Sequence, residues 1–230
     1  MRTIELHKSV TESNDRDARL LREEMRASGR LLINLMSSPG AGKTSLLSRT
    51  LLDMKDIRIG VLEADIASDI DARRIEALGA GSIQAHTDGM CHMDAGMTRK
   101  SLEALDREGG EEDLIFLENV GNLICPAEFD TGAGLNVMIL SVPEGDDKPL
   151  KYPLMFSKVQ ALVITKMDTL SYFDFDMDAC ADRVRKLNPK VRIFPVSAKT
   201  GEGMKAWEDW LYDRVRAWRS ASEDLTGFGR

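Results

Sequence analysis

Between Leu31 and Leu52 the chain reads LLINLMSSPGAGKTSLLSRTLL. An apolar run breaks at Ser-Ser-Pro-Gly and passes through Gly42-Lys43-Thr44 into a segment with apolar residues at helical spacing, the pattern of a strand, a phosphate-binding loop and a helix. In such a loop successive backbone N–H groups converge at a helix N-terminus, where fixed donors and the positive end of the dipole meet an anion. Pro39, Gly40, Ala41, Gly42, Lys43, Thr44 and Ser45 are therefore the expected nucleotide-binding residues. Lys43 is expected to reach the β and γ phosphates and the Thr44 hydroxyl to hold Mg²⁺. The general pattern opens with Gly; here Ser37 stands in that place. Gly40 and Gly42 remain where the backbone must come closest to phosphate, and Pro39 fixes φ while giving up a donor.

A chain of 230 residues can bury one good core, and an α/β unit of this size is routinely one domain. Its formal net charge of −7 argues against a general nucleic-acid binder and favours a metal cation as partner. No apolar run reaches membrane-spanning length and the first thirty residues are charged rather than signal-like, so a cytoplasmic protein without a membrane partner is expected. Cys91, Cys125 and Cys180 are too few and too scattered for a disulfide framework; in a reducing compartment they are buried apolar residues or ligands.

Residues 1–29 read as an N-terminal helical extension of one or two amphipathic helices stopped by Gly29. Beyond them, strands are expected at Leu31–Met36, Ile57–Ala64, Ser82–Thr87, Leu114–Asn119, Asn136–Val142, Ala161–Thr165 and Val191–Val196. Helices are expected after the phosphate loop and at Asp69–Leu78, Asp94–Leu105, Met177–Leu187 and Met204–Trp218. The segment Pro143–Pro153, with three prolines and a glycine, is expected to lack regular structure. Alternating strands and helices imply a mainly parallel twisted sheet with helices on both faces, with ligands beyond the carboxyl ends of the strands.

Past the sixth strand stands Thr165-Lys166-Met167-Asp168, and past the seventh Ser197-Ala198-Lys199. A carboxylate at Asp168 can accept from guanine N1–H and the 2-amino group, neither of which adenine offers, so the pairing selects GTP and GDP. Lys166 is expected to lay its stem on the base and the Ala198 N–H to meet the guanine oxygen. These motifs resemble those of the GTPase superfamily, with Thr165 where Asn is usual. Asp65 and Glu118 end neighbouring strands and could serve Mg²⁺, directly or through water. Glu118-Asn119-Val120-Gly121 resembles the switch that senses the γ-phosphate, so Lys43, Asp65, Glu118 and Gly121 are the expected catalytic set. Asn122 follows Gly121 where a water-orienting Gln is common, which predicts slow intrinsic hydrolysis. Residues 30–230 then form one GTPase domain.

Gly89-Met90-Cys91-His92 and Asn122-Leu123-Ile124-Cys125-Pro126 both fall in loops on the ligand side. Two thiolates and an imidazole suit Zn²⁺ or Ni²⁺. Three ligands leave such a site incomplete unless a two-fold axis brings a second copy beside it. By themselves, Cys91 reads more often as a small buried residue and His92 as a helix-flanking polar one. The order of SSPGAGKTSLL, LEADIASDIDARRI, the CHMDAGM run, ENVGNLICPAEFD, PEGDDKPLKYP and SYFDFD resembles the HypB family, GTPases that help insert nickel into [NiFe]-hydrogenase. The resemblance covers nearly the whole chain. It implies a P-loop NTPase of the SIMIBI type, a slow GTPase, and Cys91, His92 and Cys125 as a metal site near a homodimer interface. It also implies a HypA-type metallochaperone as partner and a hydrogenase large-subunit precursor as client. The sequence departs from many family members in lacking a Cys-x-x-Cys-Gly-Cys motif or His-rich tract, and in reading Thr87-Asp88-Gly89-Met90 where Gly-Gly-Gly commonly precedes Cys-His. Asp88 could add an oxygen ligand.

Three other readings are set beside this one: a nickel GTPase serving urease, which would be expected to show Cys-Pro-His; a small-molecule kinase, which needs no Asp168; and a regulatory GTPase whose cysteines are structural. Lys148 and Lys151 read equally as contacts to a neighbouring subunit and as a solvated loop.

Overall fold

The computed structural model describes residues 6–64, 75, 78–85, 87 and 89–227. Seven strands, β1 (Leu31–Ser37), β2 (Ile59–Glu63), β3 (Gly81–Gln84), β4 (Leu114–Glu118), β5 (Leu135–Ser141), β6 (Ala161–Thr165) and β7 (Arg192–Pro195), form one sheet in the order β3-β2-β4-β1-β5-β6-β7. Every pairing is parallel. All residues of β1 are buried, as they must be in a central strand covered on both faces, and this is why Leu31–Met36 is nearly continuous in apolar residues. The order reverses at β1: β4 lies on one side and β5 on the other, which opens a crevice at the carboxyl end of β1.

One face of the sheet packs Leu31, Ile33 and Leu35 against helix α2 (Lys43–Asp53), through Leu46, Leu47 and Leu51, and against the closing helix (Met204–Gly227), through Trp207, Leu211 and Val215. Trp207 is fully enclosed and donates its indole N–H to Thr50 Oγ1 at 3.1 Å, so the two helices are joined by shape and by one buried hydrogen bond. The other face is covered by helix α1 (Leu6–Ala27), through Leu21 and Met25, and by helix α3 (Ala95–Arg107), through Leu102 and Leu105. Further along that face Met138 and Leu140 meet Phe156 and the Cys180 and Val184 side chains of a helix at Met177–Leu187. Burial pushes the Cys180 thiol up to about 12, consistent with a core residue.

Among the described residues the N-terminal segment is one helix, α1. It ends where Gly29, at φ +70°, donates its N–H to Arg26 O at 3.0 Å. Its side chains are tied to the domain: Arg22 makes a forked ion pair with Asp130 and donates to Ala133 O at 2.8 Å, and Arg26 lies 4.5 Å over the Trp218 ring.

The expectation that Pro143–Pro153 lacks regular structure is overturned. A 3₁₀ turn at Val142–Glu144 leads to short helices α5 (Lys148–Lys151) and α6 (Pro153–Ser157), with a helix α4 (Cys125–Glu128) earlier in the chain. Each proline occupies the first turn of its helix, where a missing N–H costs nothing and a fixed φ favours the start. Strand β3 stops at Gln84, short of Thr87, and the helix expected over 69–78 lies outside the described residues apart from Ile75 and Leu78.

Trp207→Ala removes the largest enclosed side chain of the core together with the Thr50 hydrogen bond. It is expected to lower stability by about 3–5 kcal/mol, read as a reduced denaturant midpoint in chemical unfolding.

Candidate functional site

The phosphate loop leaves β1 at Ser37 and enters α2 at Lys43. Gly40 and Gly42 hold φ of +73° and +93°, the left-handed backbone that lets the loop turn its N–H groups inward. Gly42 is the N-cap of α2 and supplies no side-chain hydrogen bond, so the donors at the helix start face the crevice. Lys43 is 5% exposed, and its Nζ donates to Ser37 Oγ at 3.1 Å. Ser37 in turn donates to Ser38 O at 2.7 Å. The departure from Gly at this place thus gives the buried ammonium a hydroxyl acceptor.

The base-side motifs close on the same loop. Thr165 Oγ1 donates to Ala41 O at 2.6 Å and Lys166 Nζ donates to Gly40 O at 2.8 Å, so the residues after β6 brace the phosphate loop from outside. Lys166 takes φ +60°, a conformation unusual for a residue with a side chain, and the 3₁₀ turn Met167–Tyr172 follows it. Met167 N–H donates to Val196 O, joining this loop to the end of β7. Asp168 Oδ1 accepts from the buried Ser197 hydroxyl at 2.7 Å, which fixes the carboxylate's rotation and joins the two base-side motifs. Ser197, half-buried Ala198 and exposed Lys199 begin the turn into the closing helix.

Glu118 ends β4 beside Leu35 of β1 and beside Glu63 of β2 in register, and both carboxylates are almost completely buried. Glu63 was not among the expected site residues, although a lone acid in the last position of an otherwise apolar strand was a legible signal. Asp65 lies outside the described residues. Gly121 abuts the phosphate loop: a Cβ there would stand 3.0 Å from Pro39 Cγ and 3.1 Å from Pro39 N. Any larger residue there would press the phosphate loop back by a few tenths of an ångström. Asn122 Oδ1 accepts from Ile124 N–H at 2.8 Å, so that side chain turns the backbone toward Cys125.

Cys91, His92 and Cys125 converge, with one ligand atom from each lying within 4.8 Å of the others. The sulfur atoms of Cys91 and Cys125 are 2.8 Å apart, and Cys91 Sγ is 3.8 Å from His92 Nδ1. Cys91 is exposed, Cys125 half-buried, and the His92 ring is buried against Phe129, stacked at 3.8 Å. Burial lowers the His92 pKa, against the opposing pull of Asp94 and Glu128, so the imidazole is held in the neutral form that can donate a lone pair. The hydrogen bond with Cys91, together with burial, raises the Cys125 pKa above its ordinary value. His86 and Asp88 lie outside the described residues. Sequence reasoning also missed the part that two carboxamides play behind this cluster, because the partners of an asparagine side chain leave no spacing in the sequence. Asn119 Oδ1 accepts from Met93 N–H, and Asn14 of α1 accepts from Ala95 N–H and donates to Asp130 O.

The fold and the two convergent clusters define a P-loop nucleotide-binding protein with a soft metal-ligand set beside the segment that follows β4. The family model for the CobW/HypB/UreG nucleotide-binding domain matches residues 31–195. A hydrogenase maturation factor HypB of Azotobacter vinelandii is 44% identical over 220 residues, covering 95% of this chain and 71% of that protein. The crystal structure of HypB from Helicobacter pylori in complex with nickel superposes with a TM-score of 0.84 at 37% identity, covering 89% of this chain and 96% of that one. HypB from Archaeoglobus fulgidus gives a TM-score of 0.83 at 34% identity, covering 89% and 99%. The chain belongs to the HypB family of P-loop proteins.

A thiophilic divalent cation can enter the Cys91–His92–Cys125 cluster only by displacing thiol protons, and Cys125 holds its proton above the ordinary range. Apparent nickel affinity is therefore expected to rise with pH, by about tenfold per pH unit for each proton displaced, in chelator-competition titrations between pH 6.5 and 8.

Proposed function

We propose that this protein is a GTP-hydrolysing metallochaperone that delivers nickel during [NiFe]-hydrogenase maturation, with metal binding coupled to the nucleotide it holds. The observation that carries this reading is adjacency: the segment from Glu118 to Cys125 begins beside the strand bearing the phosphate loop, touches Pro39 at Gly121, and ends at a ligand of the thiolate–imidazole cluster. A γ-phosphate ordering this segment changes the position of Cys125, and a metal on Cys125 changes the segment in return. Linkage makes the two effects equal as binding free energies.

Lys43 and the N–H groups of Pro39–Ser45 apart from the proline hold the phosphates, and Lys166, Asp168, Ser197, Ala198 and Lys199 receive guanine. Thr44, Glu118 and Asp65 are the residues assigned to Mg²⁺; a hydroxyl with carboxylates is the hard-oxygen set that this ion takes, and it neutralises charge on the phosphates when bound. Glu118 and Gly121 sense the γ-phosphate. Asn122 stands where a water-orienting Gln is common and its Oδ1 accepts from Ile124 N–H, which supports a slow intrinsic turnover.

Nickel is cargo in this reading. Three donors leave a coordination position open, and exposed Met90 and Ile124 flank the exposed Cys91, so a homodimer across this apolar rim would complete the site. A HypA-type metallochaperone and a hydrogenase large-subunit precursor are the proposed donor and client, in the cytoplasm. No helix among the described residues is long and apolar enough to cross a membrane. Cys91-His92 in place of Cys-Pro-His separates this reading from a urease-dedicated relative.

The testing experiment is equilibrium dialysis with nickel and with zinc, in GDP and in a non-hydrolysable GTP analogue, with Cys91→Ala as control. Bound metal that changes with nucleotide and collapses in the mutant supports the proposal; unchanged metal in every condition refutes it.

Asp168→Ala removes the acceptor for two guanine donors and frees the Ser197 hydroxyl. GTP affinity is expected to fall by about 2–4 kcal/mol, roughly 30- to 1,000-fold, while the weak affinity for ATP stays where it was, as read by fluorescent-nucleotide competition.

A further inference from the structure

Asn119 is completely buried immediately after Glu118, and its carboxamide makes three hydrogen bonds. Oδ1 accepts from Met93 N–H at 3.2 Å and from Val120 N–H at 2.9 Å; Nδ2 donates to Asn34 Oδ1 at 3.0 Å. Asn34, on β1, donates in turn to Asn136 Oδ1 on β5 at 3.0 Å. The orientation of these amides is dictated by chemistry. Two backbone N–H groups can only donate, so the oxygen of Asn119 must face them, its nitrogen must face Asn34, and Asn34 must present oxygen to it. A row of carboxamides thus runs from the middle of the sheet to the backbone of the metal-ligand loop.

The two ends of the short segment 118–121 have different attachments. At Gly121 it lies against Pro39 of the phosphate loop. At Asn119 it grips Met93, the residue that follows His92 and stands two beyond Cys91. Rotating the Asn119 amide away from any of its partners leaves buried polar groups unpaired, which is costly in an interior without water. The lower-energy response to a shift of the segment is to carry the Met93 backbone with it. Asn14 offers a contrast. It holds the same loop through Ala95 N–H at 3.0 Å and the Cys125 side through Asp130 O at 2.9 Å, yet it lies on α1 and makes no hydrogen bond to the phosphate loop or the switch segment.

We propose that Asn119 is the positioning residue that transmits nucleotide state to the Cys91–His92 ligand pair, by linking the backbone of the γ-phosphate-sensing segment to Met93. The inference rests on the nucleotide-coupled metal binding proposed above. Asn14 fixes the geometry of the metal site alike in both nucleotide states.

The test is nickel affinity of the full chain, by chelator competition, saturated with GDP or with a non-hydrolysable GTP analogue, for wild type, Asn119→Ala and Asn14→Ala. The wild-type affinity ratio between the two states is expected to lie in the five- to 150-fold range of ordinary allosteric coupling. Asn119→Ala is expected to bring that ratio to within about twofold of unity while nickel still binds. Asn14→Ala is expected to weaken nickel binding by the same factor in both states and to keep the ratio, which is what a purely structural residue does. A wild-type ratio of one refutes the coupled function itself; a normal wild-type ratio that survives in Asn119→Ala refutes the role of Asn119. Should Asn119→Ala fail to give a cooperative thermal transition, Asn34→Ala serves in its place, because it deprives the Asn119 amide of its anchor and leaves the switch residues intact. A reduced ratio there supports the role, and an unchanged one refutes it.

Discussion

Parallel pairing brings the carboxyl ends of all seven strands to one edge of the sheet, and every loop that follows a strand is delivered to that edge. Without this constraint, residues as far apart in sequence as Lys43, Cys91, Glu118, Asp168 and Ser197 would have no reason to meet. Covering both faces with helices then removes every other place where irregular backbone could be solvated cheaply. The crevice at β1, where strand order reverses, is where the phosphate loop can leave the core with its donors still exposed.

The same constraint explains where polar groups are tolerated inside. Asn34, Asn119, Thr165 and Ser197 are all nearly inaccessible to solvent, and the hydrogen bonds of each link one post-strand loop or strand to another. A buried hydroxyl or amide is stabilising only when its partners are in place, so each of these groups acts as a latch that is inexpensive when the loops are registered and costly when they are not. Apolar packing of β1 against α2 and α3 supplies cohesion without caring about loop position to within an ångström. The latches supply that precision.

Much of this was legible in the chain because the relevant residues carry either a period or a motif. The apolar runs of Leu31–Met36, Leu114–Leu117 and Ala161–Thr165 gave their strands to within a residue or two, since a strand buried on both faces must be apolar throughout. Lys43, Asp168 and Ser197 stand in motif spacings that point to a phosphate loop and, as proposed, a guanine pocket, and the structure joins Asp168 to Ser197. The prolines of 143–153 misled because Pro disrupts a helix interior but starts a helix well, and sequence does not say in advance which position it takes. The roles of the Asn14, Asn34 and Asn119 side chains were illegible for a different reason: each acts through partners that are far off in sequence, from 26 to 116 residues away, and no spacing in the chain announces such a pairing.

The exposure pattern of the soft cluster bears on why a carrier, rather than a structural site, is the better fit to this geometry. A cation held for stability is enclosed by four protein ligands, which slows its loss; a cation meant to be passed on needs a face from which an incoming ligand can attack. Here His92 is buried and locked by Phe129, whereas Cys91 is exposed and Cys125 half-exposed. The fixed imidazole defines one corner, and the two thiolates present the open side. Both backbones are tied to the segment after β4, Cys125 at the end of the stretch that touches the phosphate loop and Cys91 two residues before Met93. A small displacement of that segment therefore alters the spacing of the donors, through Cys125 on one side and through the Met93 backbone that follows Cys91 and His92 on the other. Changing the bite of a thiolate pair weakens one coordination geometry relative to another without dismantling the site, which is the kind of modest, reversible change that the binding energy of a single phosphate contact can drive.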